Sequence, residues 1–142
     1  MVQFQVGLMT LTELHGNLFE HINDRTPVHC ISQDCKMGAG IAVPMKKEYK
    51  LGSLTADNFP DCIYYHGVMN LITKKVYYGK PTYQTLERSL IKMKEIAQNE
   101  NITKLIMPKI GCGLDRLQWP KVREILKNVF GDTEIDILVC YL

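Results

Sequence analysis

The spacing of hydrophobic residues predicts two long helices in the second half of the chain. Apolar side chains recur every three or four residues over residues 82–98, which places them on one face of a helix. Thr82 can cap the first turn of this helix. The same periodicity follows Pro120, a residue type favoured in the first helical turn, and Gly131 fits as the stop of the second helix.

Short apolar or alternating runs predict six strands, over residues 8–14, 27–32, 61–65, 68–76, 105–107 and 135–142. The third and fourth strands form a hairpin around His66 and Gly67. In the fourth, both faces are apolar until the strand reaches Lys74 and Lys75, which is typical of a central strand that ends in a cleft or in solvent. Strands followed by helix, strand, helix and strand predict an α/β fold, with helices on both faces of a mixed sheet.

The stretch KLIMPKIGCGLDRLQWP, residues 104–120, joins a strand to a helix through Gly111 and Gly113. Backbone N–H groups in such a turn can point at a phosphate. Asp115 follows the second glycine by two residues, so its carboxylate is predicted to lie at the rim of that pocket. Asp115 and Gln118 also have the spacing of a capping box, and spacing alone favours a role for Asp115 as a helix cap.

Three loops follow predicted strands, over residues 16–18, 32–41 and 111–115. Ligands of open α/β sheets bind where loops leave the carboxyl ends of strands. Two of the loops carry closely spaced glycines and none contains a GxxxxGK[ST] motif, which favours a phosphate-containing ligand bound without P-loop chemistry. His29 lies inside a short strand, the usual position of a core histidine, and spacing alone favours a solvated strand end for Lys74.

Composition narrows the choice of function only a little. The chain has 142 residues, enough for one domain, with ordinary contents of 46% hydrophobic and 23% charged residues. A formal charge of +2 is too small to argue for extended nucleic-acid binding. The cysteines fit no zinc pattern, so we expect free thiols and no metal. The first residues do not form a charged leader with an apolar core and no apolar run reaches membrane-spanning length, so we expect a cytoplasmic protein with no membrane partner.

Four runs carry a resemblance: HCISQDCKMGAGIAV at residues 29–43, LITKK at 71–75, KPTY at 80–83 and MPKIGCGLDRLQW at 107–119. They closely resemble the terminal ADP-ribose protein glycohydrolase family of the macrodomain superfamily, and the likeness extends over residues 11–142. It implies a single three-layer α/β/α macrodomain over residues 1–142, with a central mixed sheet and an ADP-ribose pocket. It also implies an enzyme without a cofactor, which removes ADP-ribose from acidic protein side chains and acts as a deacetylase on esters such as O-acetyl-ADP-ribose.

The resemblance also implies roles for individual residues. The catalytic lysine of the family falls on Lys74 in LITKK, and its catalytic aspartate falls on Asp115 in GCGLD. A neutral lysine amine can attack the anomeric carbon of the distal ribose, and a carboxylate can transfer the proton. The implied substrate-binding residues are Asn17, Leu18, Ser32, Gly40, Ile41, Lys109, Ile110, Gly111, Cys112, Gly113, Leu114 and Leu142.

The chain departs from the family pattern in two places. Asn17 stands where the family has an aspartate that accepts from the adenine amino group, and Asn17 can still accept through its carbonyl oxygen. The segment over residues 49–61 is also shorter than in the family.

Three functions remain open at this point. The first is the hydrolase of ADP-ribosylated protein, which the presence of both Lys74 and Asp115 favours. The second is a non-catalytic ADP-ribose reader. The third keeps the catalytic pair but acts on ADP-ribose linked to nucleic acid, where a single flipped or terminal nucleotide needs few contacts. We expect a monomer, in the cytoplasm or, if the source is eukaryotic, in the nucleus.

Overall fold

The computed structural model describes residues 1–142 and contains one seven-stranded sheet and three α-helices. In chain order the strands are β1 (Val2–Val6), β2 (Met9–His15), β3 (Thr26–Ser32), β4 (Cys62–Tyr65), β5 (Val68–Lys74), β6 (Lys104–Met107) and β7 (Asp136–Tyr141). The helices are α1 (Ala42–Glu48), α2 (Tyr83–Asn99) and α3 (Trp119–Phe130). None of them combines the length and the apolar character that a membrane crossing requires.

The sheet is mixed, with strand order β1-β2-β7-β6-β3-β5-β4. The five inner strands run parallel to one another, whereas the edge strands β1 and β4 pair antiparallel with their neighbours. The carboxyl ends of the inner strands therefore meet along one edge of the sheet. In sheets of this kind that edge is where loops build a ligand site.

Successive strand residues bury side chains on opposite faces of the sheet, and this alternation creates two cores. In β5, Met69 and Leu71 belong to the core beneath α2 and α3, whereas Val68 and Ile72 belong to the core beneath α1. Helices therefore cover both faces of the sheet. The three-layer α/β/α fold predicted from the sequence is confirmed.

The predicted helices lie where their periodicity placed them. Thr82 caps α2, since its hydroxyl oxygen accepts from the Thr85 N–H at 3.0 Å. Gly131 does follow the last residue of α3, but its φ is −61° rather than left-handed. A Cβ there would lie 2.6 Å from the Lys127 carbonyl oxygen, so close packing is what requires the glycine.

Two strand predictions need correction. β1 was not predicted, although Val2, Phe4 and Val6 alternate with two glutamines in the period of a strand. The strand predicted over residues 68–76 ends at Lys74, because the chain bends immediately afterwards.

Candidate active site

A cleft of about 760 Å³ opens at the carboxyl ends of β3, β5 and β6. Its walls come from the loop after β3, the segment after β5 and the loop after β6. Ten of the residues predicted for the site line it: Ser32, Gly40, Ile41, Lys74, Lys109, Ile110, Gly111, Gly113, Leu114 and Asp115.

Lys74 and Asp115 meet inside this cleft. The Nζ of Lys74 lies 2.7 Å from Oδ1 of Asp115, and each side chain is 16% exposed. A register shift between Ile31 and Ser32 pairs Ser32 with Lys74 across β3 and β5, so Ser32 is the direct neighbour of the lysine. The Asp115 side chain is not the cap of α3, since Gln118 occupies that position without a side-chain hydrogen bond. The alternative role that spacing favours for Asp115 is therefore not the one it has.

The loop that carries Asp115 is a tight turn held by its own backbone. The N–H of Leu117 donates to the Gly111 carbonyl at 2.7 Å, and that of Arg116 donates to Gly113 at 3.1 Å. Gly111 has a φ of +72°, a left-handed conformation that favours glycine. These bonds fix the position from which Asp115 reaches Lys74.

The other potential nucleophiles in the cleft are in less favourable states. Burial raises the pKa of the Cys30 thiol, and the nearby Asp115 charge raises it further, so Cys30 stays in the unreactive thiol form. Ser32 donates its hydroxyl proton to Asp34, and no histidine lines the cleft to act as a base for it. No three or more His, Cys, Asp or Glu side chains cluster closely enough to hold a metal ion.

The mouth of the cleft is positively charged. Lys36, Lys80 and Lys109 line it, and none of the three forms a salt bridge with a carboxylate. Lys80 instead donates to the Leu114 carbonyl at 3.2 Å, and Lys109 lies over the ring of Tyr141 at 3.9 Å from its centroid. Unpaired cations beside glycine-rich backbone create a favourable environment for a diphosphate.

Twelve of the 22 residues that line the cleft were not predicted from the sequence as site residues, and four of these carry an ammonium or phenol group: Lys36, Tyr77, Tyr78 and Lys80. Two signals pointed towards them. Lys36 lies in the loop over residues 32–41, of which only Ser32, Gly40 and Ile41 are predicted site residues. Lys80 begins the run KPTY, of which no residue is predicted for the site. The two tyrosines lie three and four residues beyond the end of β5 at Lys74, directly after the strand predicted over residues 68–76.

Four predicted binding residues lie outside the cleft. The Asn17 side-chain oxygen accepts from the Phe19 N–H at 3.0 Å and caps a short 3-10 helix. Leu18 is buried in the core, the Cys112 thiol donates to the Ile110 carbonyl, and Leu142 is 91% exposed. A ligand contact at these four positions stays a prediction.

The fold is the one found in macrodomains of known structure. The macrodomain of Mycobacterium tuberculosis DarG superposes with a TM-score of 0.76 at 22% identity, over 92% of this chain and 96% of that one. Thermosipho africanus DarTG in complex with ADP-ribose gives a TM-score of 0.72 at 18% identity, over 99% of this chain and 43% of that one.

Sequence comparison narrows the class to a family. A scan against protein-family profiles finds no match. The chain is 42% identical to the ADP-ribose glycohydrolase OARD1 of Bos taurus, over 91% of this chain and 90% of that protein. It is 41% identical to the Homo sapiens protein of the same name, with the same coverage. The chain belongs to the ADP-ribose glycohydrolase family of macrodomains and is a hydrolase.

Proposed function

We propose that this hydrolase removes ADP-ribose from acidic side chains of proteins, with Lys74 as the nucleophile and Asp115 as the proton-transfer group. The observation that carries the proposal is the 2.7 Å contact between Lys74 Nζ and Asp115 Oδ1 inside the cleft. Covalent catalysis requires a nucleophile that lies within hydrogen-bond distance of a proton acceptor.

The size and charge of the cleft support ADP-ribose as the bound group. The cleft volume of about 760 Å³ lies within the range of about 300–1,000 Å³ that is usual for small-molecule sites, and so it suits ADP-ribose. The unpaired lysines at its mouth complement a diphosphate. The names of the relatives from Bos taurus and Homo sapiens are consistent with this ligand.

The first half of the proposed reaction breaks the bond between substrate and sugar. The neutral Lys74 amine attacks the anomeric carbon of the distal ribose, and the bond from that carbon to the carboxylate oxygen of the modified side chain breaks. The acidic side chain leaves as a carboxylate, and the new secondary amine gives its extra proton to Asp115. The product is ADP-ribose bonded to Lys74.

The second half releases the sugar. Asp115 returns its proton to Lys74 Nζ as the carbon–nitrogen bond breaks, and water adds to the anomeric carbon and gives up a proton to the carboxylate. Asp115 then releases this proton to solvent, which restores the starting pair. The same steps would cleave an O-acetyl-ADP-ribose whose acetyl ester is on the anomeric carbon, because acetate is then the carboxylate leaving group. A non-catalytic reader would need neither half of this sequence.

We predict that Asp115→Ala slows the second half more than the first, so that the variant accumulates a protein heavier by one ADP-ribose, with the added mass on Lys74. Intact-mass spectrometry after incubation with ADP-ribosylated protein detects this adduct.

Lys74→Ala should form no adduct and release no ADP-ribose while it still binds free ADP-ribose. Lys74→Arg should also fail, because a guanidinium stays protonated. Near-full turnover by Lys74→Ala would refute the mechanism.

A second candidate function is removal of ADP-ribose from nucleic acid. Tyr77 and Tyr78 line the cleft and are 60% and 74% exposed, and exposed aromatic rings beside lysines can stack on bases. Release from ADP-ribosylated protein and from ADP-ribosylated DNA, measured side by side with Lys74→Ala as the blank, separates the two substrates.

A further inference from the structure

Asp34 joins the two chain segments that flank Lys74. Its Oδ1 accepts from the Ser32 hydroxyl and from the Lys36 N–H at 3.3 Å. Its Oδ2 accepts from the Tyr77 N–H at 2.9 Å. One carboxylate thus connects the last residue of β3, the loop that follows it, and the segment three residues beyond Lys74.

The bond from Ser32 fixes the polarity of that hydroxyl. A serine hydroxyl has a single proton to donate, and Ser32 gives it to Asp34. The oxygen of Ser32 therefore offers only lone pairs to the cleft that it lines. A ligand atom that contacts Ser32 must then be a donor.

The Asp34 carboxylate is held in its ionised form. Burial raises its pKa, but the hydrogen bonds from Ser32, Tyr77 and Lys36 outweigh this effect and leave the pKa below its ordinary value. Asp34 accordingly accepts near neutral pH, and the hydroxyl proton of Ser32 points away from the ligand.

We propose that Asp34 is a positioning residue that presents Ser32 as a hydrogen-bond acceptor to a hydroxyl of the ribose at the scissile bond. Ser32 pairs in register with Lys74, so the contact falls beside the reacting carbon. Ionised phosphate oxygens carry no proton and cannot donate to Ser32, whereas ribose hydroxyls can. The proposal rests on the proposed function and adds to it a device that recognises the sugar rather than the diphosphate.

Asp34→Asn tests this role, because asparagine keeps the shape of aspartate. It replaces one acceptor oxygen by an NH₂ donor, while the donors from Ser32, Lys36 and Tyr77 still converge on the group. In one arrangement of the amide Ser32 loses its acceptor, and in the other it keeps a neutral oxygen that accepts less strongly than a carboxylate. The orientation of Ser32 is therefore weakened in either arrangement. The measurement is calorimetric affinity for two probes, ADP-ribose and ADP, since ADP lacks the distal ribose.

We expect Asp34→Asn to bind ADP-ribose about tenfold more weakly, the value of one hydrogen bond. Its affinity for ADP should stay within about twofold of the native value. Equal losses for both probes would mean that Asp34 only maintains the shape of the loop, and no loss for either would mean that Ser32 is not oriented by it. Either result overturns the proposal.

Two further variants make the test independent of folding and of turnover. Asp57→Asn makes the same charge change at an exposed residue outside the cleft and should alter neither affinity. Ser32→Ala should reproduce the selective loss of ADP-ribose affinity even if Asp34→Asn does not fold.

In the double variant the two losses should not multiply, because both act through one contact. A combined loss of affinity of about a hundredfold would contradict the proposal. A protein that binds both probes as expected but releases no ADP-ribose from modified protein would refute the proposed function alone.

Discussion

Gly111 and Gly113 lie two residues apart in one turn but are glycines for different reasons. Gly111 has a φ of +72°, and a Cβ there would lie 2.9 Å from Cδ1 of Leu117. A Cβ on Gly113 would have no atom within 4 Å, and this residue lines the cleft. Backbone conformation therefore requires the first glycine, and the open space next to the second is available to a ligand.

This contrast predicts different effects for two matched substitutions. Gly111→Val should lower the free energy of unfolding, with backbone strain alone costing about 1–3 kcal/mol. Gly113→Val should leave the melting temperature nearly unchanged and weaken ADP-ribose binding, because its side chain takes space that a diphosphate needs. Thermal melting and calorimetry on both variants check the pair. Unchanged affinity in a folded Gly113→Val protein would mean that the ligand lies elsewhere.

The Lys74–Asp115 pair shows where residue-level prediction stops. The two residues are separated by 41 positions, and spacing alone favoured a solvated end for Lys74 and a helix cap for Asp115. The glycine turn predicted Asp115 at the rim of a pocket, but only the long motifs that resemble a known family brought Lys74 to the same site. Asp34 lies within one of these motifs, but the resemblance implies no role for it, and local spacing does not predict its bond to the Tyr77 N–H in another loop.

At the scale of elements, Glu13 anchors α3 to β2. Its carboxylate accepts from Arg123 Nε at 2.6 Å, from another Arg123 nitrogen at 3.0 Å and from Trp119 Nε1 at 3.0 Å. Burial raises the pKa of Glu13, but the bonds from Arg123 and Trp119 outweigh it and leave the pKa below the ordinary value. The loop bearing Asp115 enters α3 at Trp119, so this anchor also supports the site.

We predict that Glu13→Gln lowers the free energy of unfolding by about 1–3 kcal/mol, because the partly buried guanidinium of Arg123 loses its charged partner. The matched control is Glu124→Gln on α3. The Glu124 carboxylate lies 3.4 Å from Lys127 Nζ, and its side chain is 64% exposed. Surface pairs of this kind contribute about 0–1 kcal/mol. Denaturant titration of both variants measures the difference. Equal effects would mean that Glu13 does not anchor the helix.

Elements with strong internal periodicity were predictable, and elements defined by their neighbours were not. The apolar stripes of α2 and α3 are complete within each segment, and the inner strands are short apolar or alternating runs. β1 is an exposed edge strand whose alternating pattern is short and rich in glutamine. The end of β5 is set by a partner, because Asp34 binds the backbone of Tyr77 just beyond it.

At the scale of the whole molecule, the order of the strands creates the site. β3 lies between β5 and β6, so the loop after β3 lies between the end of β5, with Lys74, and the turn with Asp115. No local pattern in the sequence specifies this order. The composition and the alternation of elements define the class of fold, but the meeting of these three loops depends on long-range strand pairing.

The same central position buries His29 completely, in β3 against β5. Its Nε2 lies 2.7 Å from the side-chain oxygen of Asn70, whose amide group donates to the carbonyls of Ile63 and Val68. The orientation of Asn70 is thereby fixed, and the neutral ring of His29 donates through Nε2. Its Nδ1 has no hydrogen-bond partner, so a proton added there would place an unpaired charge in the core.

Burial lowers the pKa of His29 from 6.5 to about 4, although its bond to Asn70 acts in the opposite direction. Between these two values the unfolded chain binds a proton that the folded protein does not, so stability is intact above pH 6.5 and falls as the pH decreases towards 4. The slope should approach about 1.4 kcal/mol per pH unit for this one group. Glu13 adds its own loss only below its ordinary pKa of 4.5, so urea titrations between pH 5 and 6.5 isolate the histidine. His29→Gln should lower overall stability and also flatten the slope by about that amount; a variant that retains the native slope would show that His29 is not the group that titrates.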